Sequence, residues 1–111
     1  MKAITPIAPS VRTDHRGLWV TNVVGELEFG FEWSEISSVS AYKLDLIETA
    51  LIFVQIDHAS GEYVELNENL SGFVEALTAI SRTLPGIDTR LYELIKALTV
   101  HDEALTLWRR V

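Results

Sequence analysis

Between Glu26 and Trp33 the chain alternates acid and apolar side chains so regularly that only one kind of element accommodates it. Leu27, Phe29, Phe31 and Trp33 recur at period two, and Glu26, Glu28 and Glu32 occupy the opposite positions. This is the pattern of a strand with one buried and one wet face. A one-residue slip would bury three carboxylates, so the register is firmly set. Gly30 falls on the wet face, where a missing side chain leaves room for a bulge or a close neighbour. Glu26, Glu28 and Glu32 are thereby grouped as an anionic strand face and as candidate partner-binding residues.

Around this segment further strands are predicted. Gly17–Val24 is rich in β-branched and aromatic residues, with a turn at Gly25. Trp33–Ile36 reads as one short turn. Ser37–Leu46 follows as a strand, with Val39 and Ala41 on one side and Tyr42, Leu44 and Leu46 on the other. Thr49–His58 is nearly continuously apolar, which predicts a central strand covered on both faces. Asp57–Gly61 is a hairpin turn in which Gly61 supplies a positive φ, and Glu62–Leu66 returns.

The period then changes. Leu70, Phe73, Val74, Leu77, Ile80 and Leu84 keep helical spacing, which predicts one long amphipathic helix. Asn67, Asn69 or Ser71 is expected to cap its start, and Pro85-Gly86 ends it. Asp88 is expected to cap a second helix carrying Leu91, Leu94, Ile95 and Leu98. The tail 104–111 reads as a last strand or a helical turn, with the strand preferred. Strands followed by helices, without alternation, is an α+β order. The expected architecture is an antiparallel meander of about five to six strands followed by two helices, with residues 1–15 as an extended arm or edge segment and 16–111 as one domain.

Charge limits the partners. Residues 26–75 hold eleven acids against the single base Lys43, within a net charge of −7 for all 111 residues. Such a surface repels nucleic-acid backbones and anionic lipid, so neither is an expected partner. With no cysteine in the chain, thiolate metal sites, disulfides and cysteine nucleophiles are excluded. No stretch has the length of a membrane span or the form of a signal peptide, and a cytoplasmic location is the expectation.

Candidates for chemistry are few. Each histidine adjoins an aspartate (Asp14-His15, Asp57-His58, His101-Asp102), but neighbours on a strand point to opposite faces. None has metal-ligand spacing, and no cofactor is expected. Asp57, His58 and Ser60 are the three residue types of a hydrolase triad, crowded into one turn, whereas a triad draws its members from separate supports. Trp33 continues a buried face. Trp108, followed by Arg109 and Arg110, is read as core or as an anchor for a partner.

The runs FEWSEISSVSAYKLDL, ETALIFVQI, SGEYVELNENLSGFVEAL, LPGID and LWRR, spanning roughly residues 26–111, resemble a set of small bacterial proteins with a pleckstrin-homology-like fold. That resemblance implies a partly open barrel closed by a helix and carries over no catalytic residues. Small acidic bacterial proteins of this size include immunity proteins. The expected function is therefore a non-enzymatic protein-binding domain acting through Glu26, Glu28, Glu32 and Trp108. The alternatives are a homo-oligomeric structural domain, and a small enzyme built on His58 or His101 with nearby carboxylates.

Overall fold

The computed structural model describes residues 10–21 and 26–110. The chain is α+β, with seven strands in two antiparallel sheets and two helices, and no closed barrel among the described residues. The first sheet has the order β1-β2-β3, from Ser10–Thr13, Gly17–Thr21 and Leu27–Glu32. The second has the order β6-β5-β4-β7, from Tyr63–Asn67, Ala50–His58, Ile36–Asp45 and Leu105–Arg109. Consecutive strands pair except β6 with β7, since β7 returns to β4, and β3 with β4. There Trp33–Glu35 forms a 3-10 turn that passes the chain from one sheet to the other and divides the expected meander. The segment expected as an arm enters the described region at Ser10 as the edge strand of the first sheet. The turn expected at Gly25 lies outside the described residues.

Alternation fixes both inner faces. Val11, Leu18 and Phe31 of the first sheet and Val39, Ala41, Ile52, Val54, Ile56, Val64 and Leu66 of the second are buried in one core. Helix α1, Phe73–Thr83, adds Phe73, Ala76, Leu77 and Ile80; helix α2, Leu91–Lys96, adds Leu91 and Ile95. Fully buried side chains such as Leu77 and Ile80 each contribute about 2 kcal/mol. Val74, expected in the stripe, is exposed, and Ala76 takes the buried place at its side.

The helix starts differ from expectation. No side chain caps α1: its N-cap is Gly72 at φ 86°. A Cβ there would lie 2.1 Å from the Val11 carbonyl oxygen, because Val11 N–H donates to Ser71 O at 2.8 Å and draws β1 against the chain entering the helix. Asn67 Oδ1 accepts the Asn69 N–H instead. Asp88 Oδ1 accepts the Arg90 N–H at 2.8 Å, but the N-cap position of α2 is Arg90 itself, so Asp88 shapes the approach and does not cap the helix. The tail is a strand, as expected, and pairs with β4. No helix among the described residues is long and apolar enough to cross a membrane.

Candidate functional site

Strand β5 is central in its sheet but is buried on one side only. Ile52, Val54 and Ile56 face the core, whereas Leu51, Phe53, Gln55 and Asp57 are half-buried on the outer face. The continuous apolar run was expected to be covered twice. Here the second face stays open because both helices and the first sheet contribute to a core on the other side.

The register determines what shares that outer face. Leu44 pairs with Leu51, Tyr42 with Phe53, Ser40 with Gln55 and Ser38 with Asp57. On β6, Tyr63 pairs with Asp57 and Glu65 with Gln55. The Tyr42 and Phe53 rings stack at 5.4 Å and 9°. Leu44 is 44% and Tyr63 54% exposed. Tyr42 is pushed up to about 12, first by loss of water around its hydroxyl and then by the Glu65 carboxylate. The far end of the face is polar and satisfied: Ser38 Oγ donates to Asp57 Oδ2, and Gln55 Nε2 donates to Asp57 Oδ1 at 2.8 Å.

The apolar half of the face projects. β7 pairs with β4 only as far as Ala41, and β6 pairs with β5 only from Phe53. Tyr42–Asp45 and Ala50–Ile52 thus extend beyond both flanking strands. The ribbon closes at Leu46 and Thr49, which exchange hydrogen bonds of 2.7 and 3.2 Å. Glu68 extends the flank with its own atoms: its N–H donates to Ile52 O, and its Oε1 accepts the Ile52 N–H, both at 3.1 Å. At the tip Leu46 is 42% exposed and Ile47 fully exposed, beside the exposed Asp45 and Glu48.

The residues singled out from the sequence are placed elsewhere. Glu26 and Glu32 are exposed, as their strand position requires; the side chain of Glu28 lies outside the described residues. Glu32 accepts an ion pair from Arg16 at 3.4 Å. Opposite Gly30 stands Trp19, whose ring fills the space a side chain would need, 2.1 Å from the ideal Cβ position. Trp108 is buried and its indole N–H donates to Pro85 O at 2.8 Å, so it belongs to the core. His15 and His101 are exposed in turns.

His58 does gain a partner, though not the one beside it. Asp57 points to the other face, and Glu35 reaches in from the 3-10 turn to set Oε2 3.0 Å from His58 Nε2. Its Oε1 accepts the Glu32 N–H at 3.0 Å. The His58 hydrogen bond and then the Glu32 N–H hold the Glu35 carboxyl below its ordinary range. Glu35 and His58 are 23 residues apart, brought together by the register that sets Ile36 opposite His58, so no local motif announces the pair.

The surface of the described residues also carries shallow hollows. One of about 490 Å³ runs between β1 and α1, lined in part by Val11, Thr13, Glu75 and Ala76. Another, of about 240 Å³, is lined by Arg12, Asp14, Arg16 and Trp19. In the second, Asp14 accepts the N–H groups of Arg16 and Gly17 at 2.8 and 3.0 Å. Its carboxyl is held low chiefly by the nearby Trp19 indole, although that N–H makes no hydrogen bond of good geometry. Among the described residues no group of three or more histidines and carboxylates is gathered as for a metal ion. Compared with known proteins, the chain matches no family model, no curated protein and no solved structure.

Proposed function

We propose that the chain is a non-enzymatic protein-binding domain whose contact surface is the outer face of the β4–β5 ribbon. The observation that carries this reading is the open second face of β5, where Leu51 and Phe53 meet Leu44 and Tyr42 with Tyr63 alongside. Aromatic and aliphatic side chains held rigidly on a sheet bind with little loss of rotamer entropy and are typical of the centres of interfaces. The exposed acids Asp45, Glu48, Glu62 and Glu65 border this surface. The fitting partner is a protein that presents apolar side chains ringed by lysine and arginine. An immunity-type role, with a cationic toxin as the partner, is one form of this reading. The same charge disfavours a second copy of this chain. Relative to the sequence-based proposal, the acidic contribution moves from Glu26, Glu28 and Glu32 to Asp45, Glu48, Glu62 and Glu65, and the anchor from Trp108 to the Tyr42–Phe53 pair.

The test is a double variant, Leu44→Arg with Tyr63→Arg. Both side chains are exposed, so the fold is retained. The partner captured by the unaltered protein is expected to bind at least about tenfold more weakly. Val74→Arg, on α1, is expected to leave binding unchanged. Equal binding by the double variant would rule out this surface. A wild-type dimer that the double variant converts to monomer would make the partner a second copy.

A further inference from the structure

Glu35, His58 and Ser60 form an unbroken hydrogen-bonded chain at the junction of the two sheets. Glu35 Oε2 is 3.0 Å from His58 Nε2, and His58 Nδ1 is 2.8 Å from Ser60 Oγ. The Ser60 backbone N–H also donates to Nδ1, at 3.0 Å. Nδ1 is therefore the acceptor, the ring proton sits on Nε2 facing the carboxylate, and the Ser60 hydroxyl donates to Nδ1.

Each member is fixed independently. Glu35 is anchored through its other oxygen to the Glu32 N–H. The imidazole lies 4.9 Å from the Phe31 ring and is only 19% exposed. The Ala59 N–H donates to Glu35 O at 2.9 Å, which ties the hairpin turn to the 3-10 turn. Ser60 stands exposed at the end of this relay. Glu35 brings the acid from a second support to the base and hydroxyl of the hairpin turn, and so supplies the orienting carboxylate that Asp57, on the other face, does not.

We infer that Ser60 is an activated hydroxyl that accepts an acyl group from activated esters, assisted by the Glu35–His58 pair. In the step, Ser60 Oγ attacks the ester carbonyl carbon and its proton passes to His58 Nδ1. The resulting imidazolium is stabilised by Glu35 through Nε2–H. The tetrahedral intermediate then collapses with cleavage of the bond to the leaving oxygen, which departs with its electron pair. His58 returns its proton to that oxygen or to water, and Ser60 keeps the acyl group as an ester. The Ser60 N–H shares the Nδ1 lone pair with the hydroxyl, so the acceleration over an ordinary serine is at the lower end for general-base assistance, roughly 10²-fold. This makes Ser60 a modification site and is separate from protein binding at the outer sheet face.

The probe is 4-nitrophenyl acetate, with nitrophenolate release followed by absorbance and the adduct located by peptide mass spectrometry. The expected result is one acetyl group per chain on Ser60, absent in Ser60→Ala. Glu35→Gln and His58→Gln are each expected to slow its formation at least tenfold while the circular dichroism spectrum is unchanged. Adducts confined to lysines would overturn the inference. So would Ser60 acetylation at the wild-type rate in both Glu35→Gln and His58→Gln, or ester cleavage that persists in Ser60→Ala and is lost in His58→Gln.

Discussion

At the residue scale, three glycines among the described residues hold positive φ, in different surroundings. Gly61 and Gly86, at φ 97° and 79°, have open space where a Cβ would go. Gly72, at φ 86°, has the Val11 carbonyl oxygen there. Gly61→Ala therefore meets only the left-handed backbone penalty, about 1–2 kcal/mol. Gly72→Ala meets that penalty plus the displacement of β1 from the helix entrance, which adds about 1–3 kcal/mol by analogy with overpacking. Urea unfolding of the two variants is expected to show Gly72→Ala as the more damaging by at least about 1 kcal/mol. Equal losses would mean that β1 yields freely. Gly30 illustrates the other use of the residue: it follows no turn, and what it admits is the Trp19 ring.

At the element scale, the outer face of β4 and β5 makes a spectroscopic prediction. The Tyr42 hydroxyl, raised to about 12 by desolvation and by Glu65, stays protonated well past the ordinary tyrosine value near 10. A raised folded-state value means that the neutral phenol is favoured by folding. That contribution is full below pH ~10 and is lost as pH climbs toward 12. Ultraviolet titration is expected to show a late phenolate step that disappears in Tyr42→Phe. Glu65→Gln should shift the step downward without abolishing it, because desolvation is the larger cause. A titration of Tyr42→Phe indistinguishable from wild type would remove the assignment.

The same elements show what the sequence could and could not disclose. Period two placed Phe31 and Trp33 inward and Glu32 outward, and the switch to helical spacing after Asn67 located α1, because both signals are local. The one-sided burial of β5 was not legible: Leu51 and Phe53 are as apolar as Ile52 and Val54, and only the placement of the helices decides which pair is covered. The Glu35–His58 bond was hidden for a related reason, since it depends on where the 3-10 turn sets down the second sheet. The capping of α1 was misread because Asn67, Asn69 and Ser71 have the right chemistry, while the close approach of β1 leaves the N-cap position room only for glycine.

At the scale of the whole molecule, Arg110 ties the end of β7 to the start of β4 and to the 3-10 turn between the sheets. Its Nε donates to Ile36 O at 2.9 Å, its Nη2 to Trp33 O at 3.0 Å, and its backbone N–H to Ser37 O at 2.8 Å. The guanidinium also lies 4.9 Å over the Trp108 ring. Arg110→Ala strands two carbonyls at the hinge between sheets and is expected to cost about 2 kcal/mol. Arg110→Lys should recover less than half of that, since an ammonium cannot reproduce the fork. Thermal unfolding measures both, and a neutral Arg110→Ala would show that the hinge does not rely on this clamp.

The pairing of β4 with β7 also sets a timetable. Roughly sixty residues separate them, so at ~5–20 residues per second a growing chain completes β4 several seconds before the strand that pairs with it is made, whereas α2 precedes that strand by only about a second or two. Throughout that interval the edge of β4 that later pairs with β7, from Ser38 to Ala41, lies bare, and an unpaired edge is a template for a stray strand. Newborn chains are thus open to cross-pairing along β4 until β7 docks.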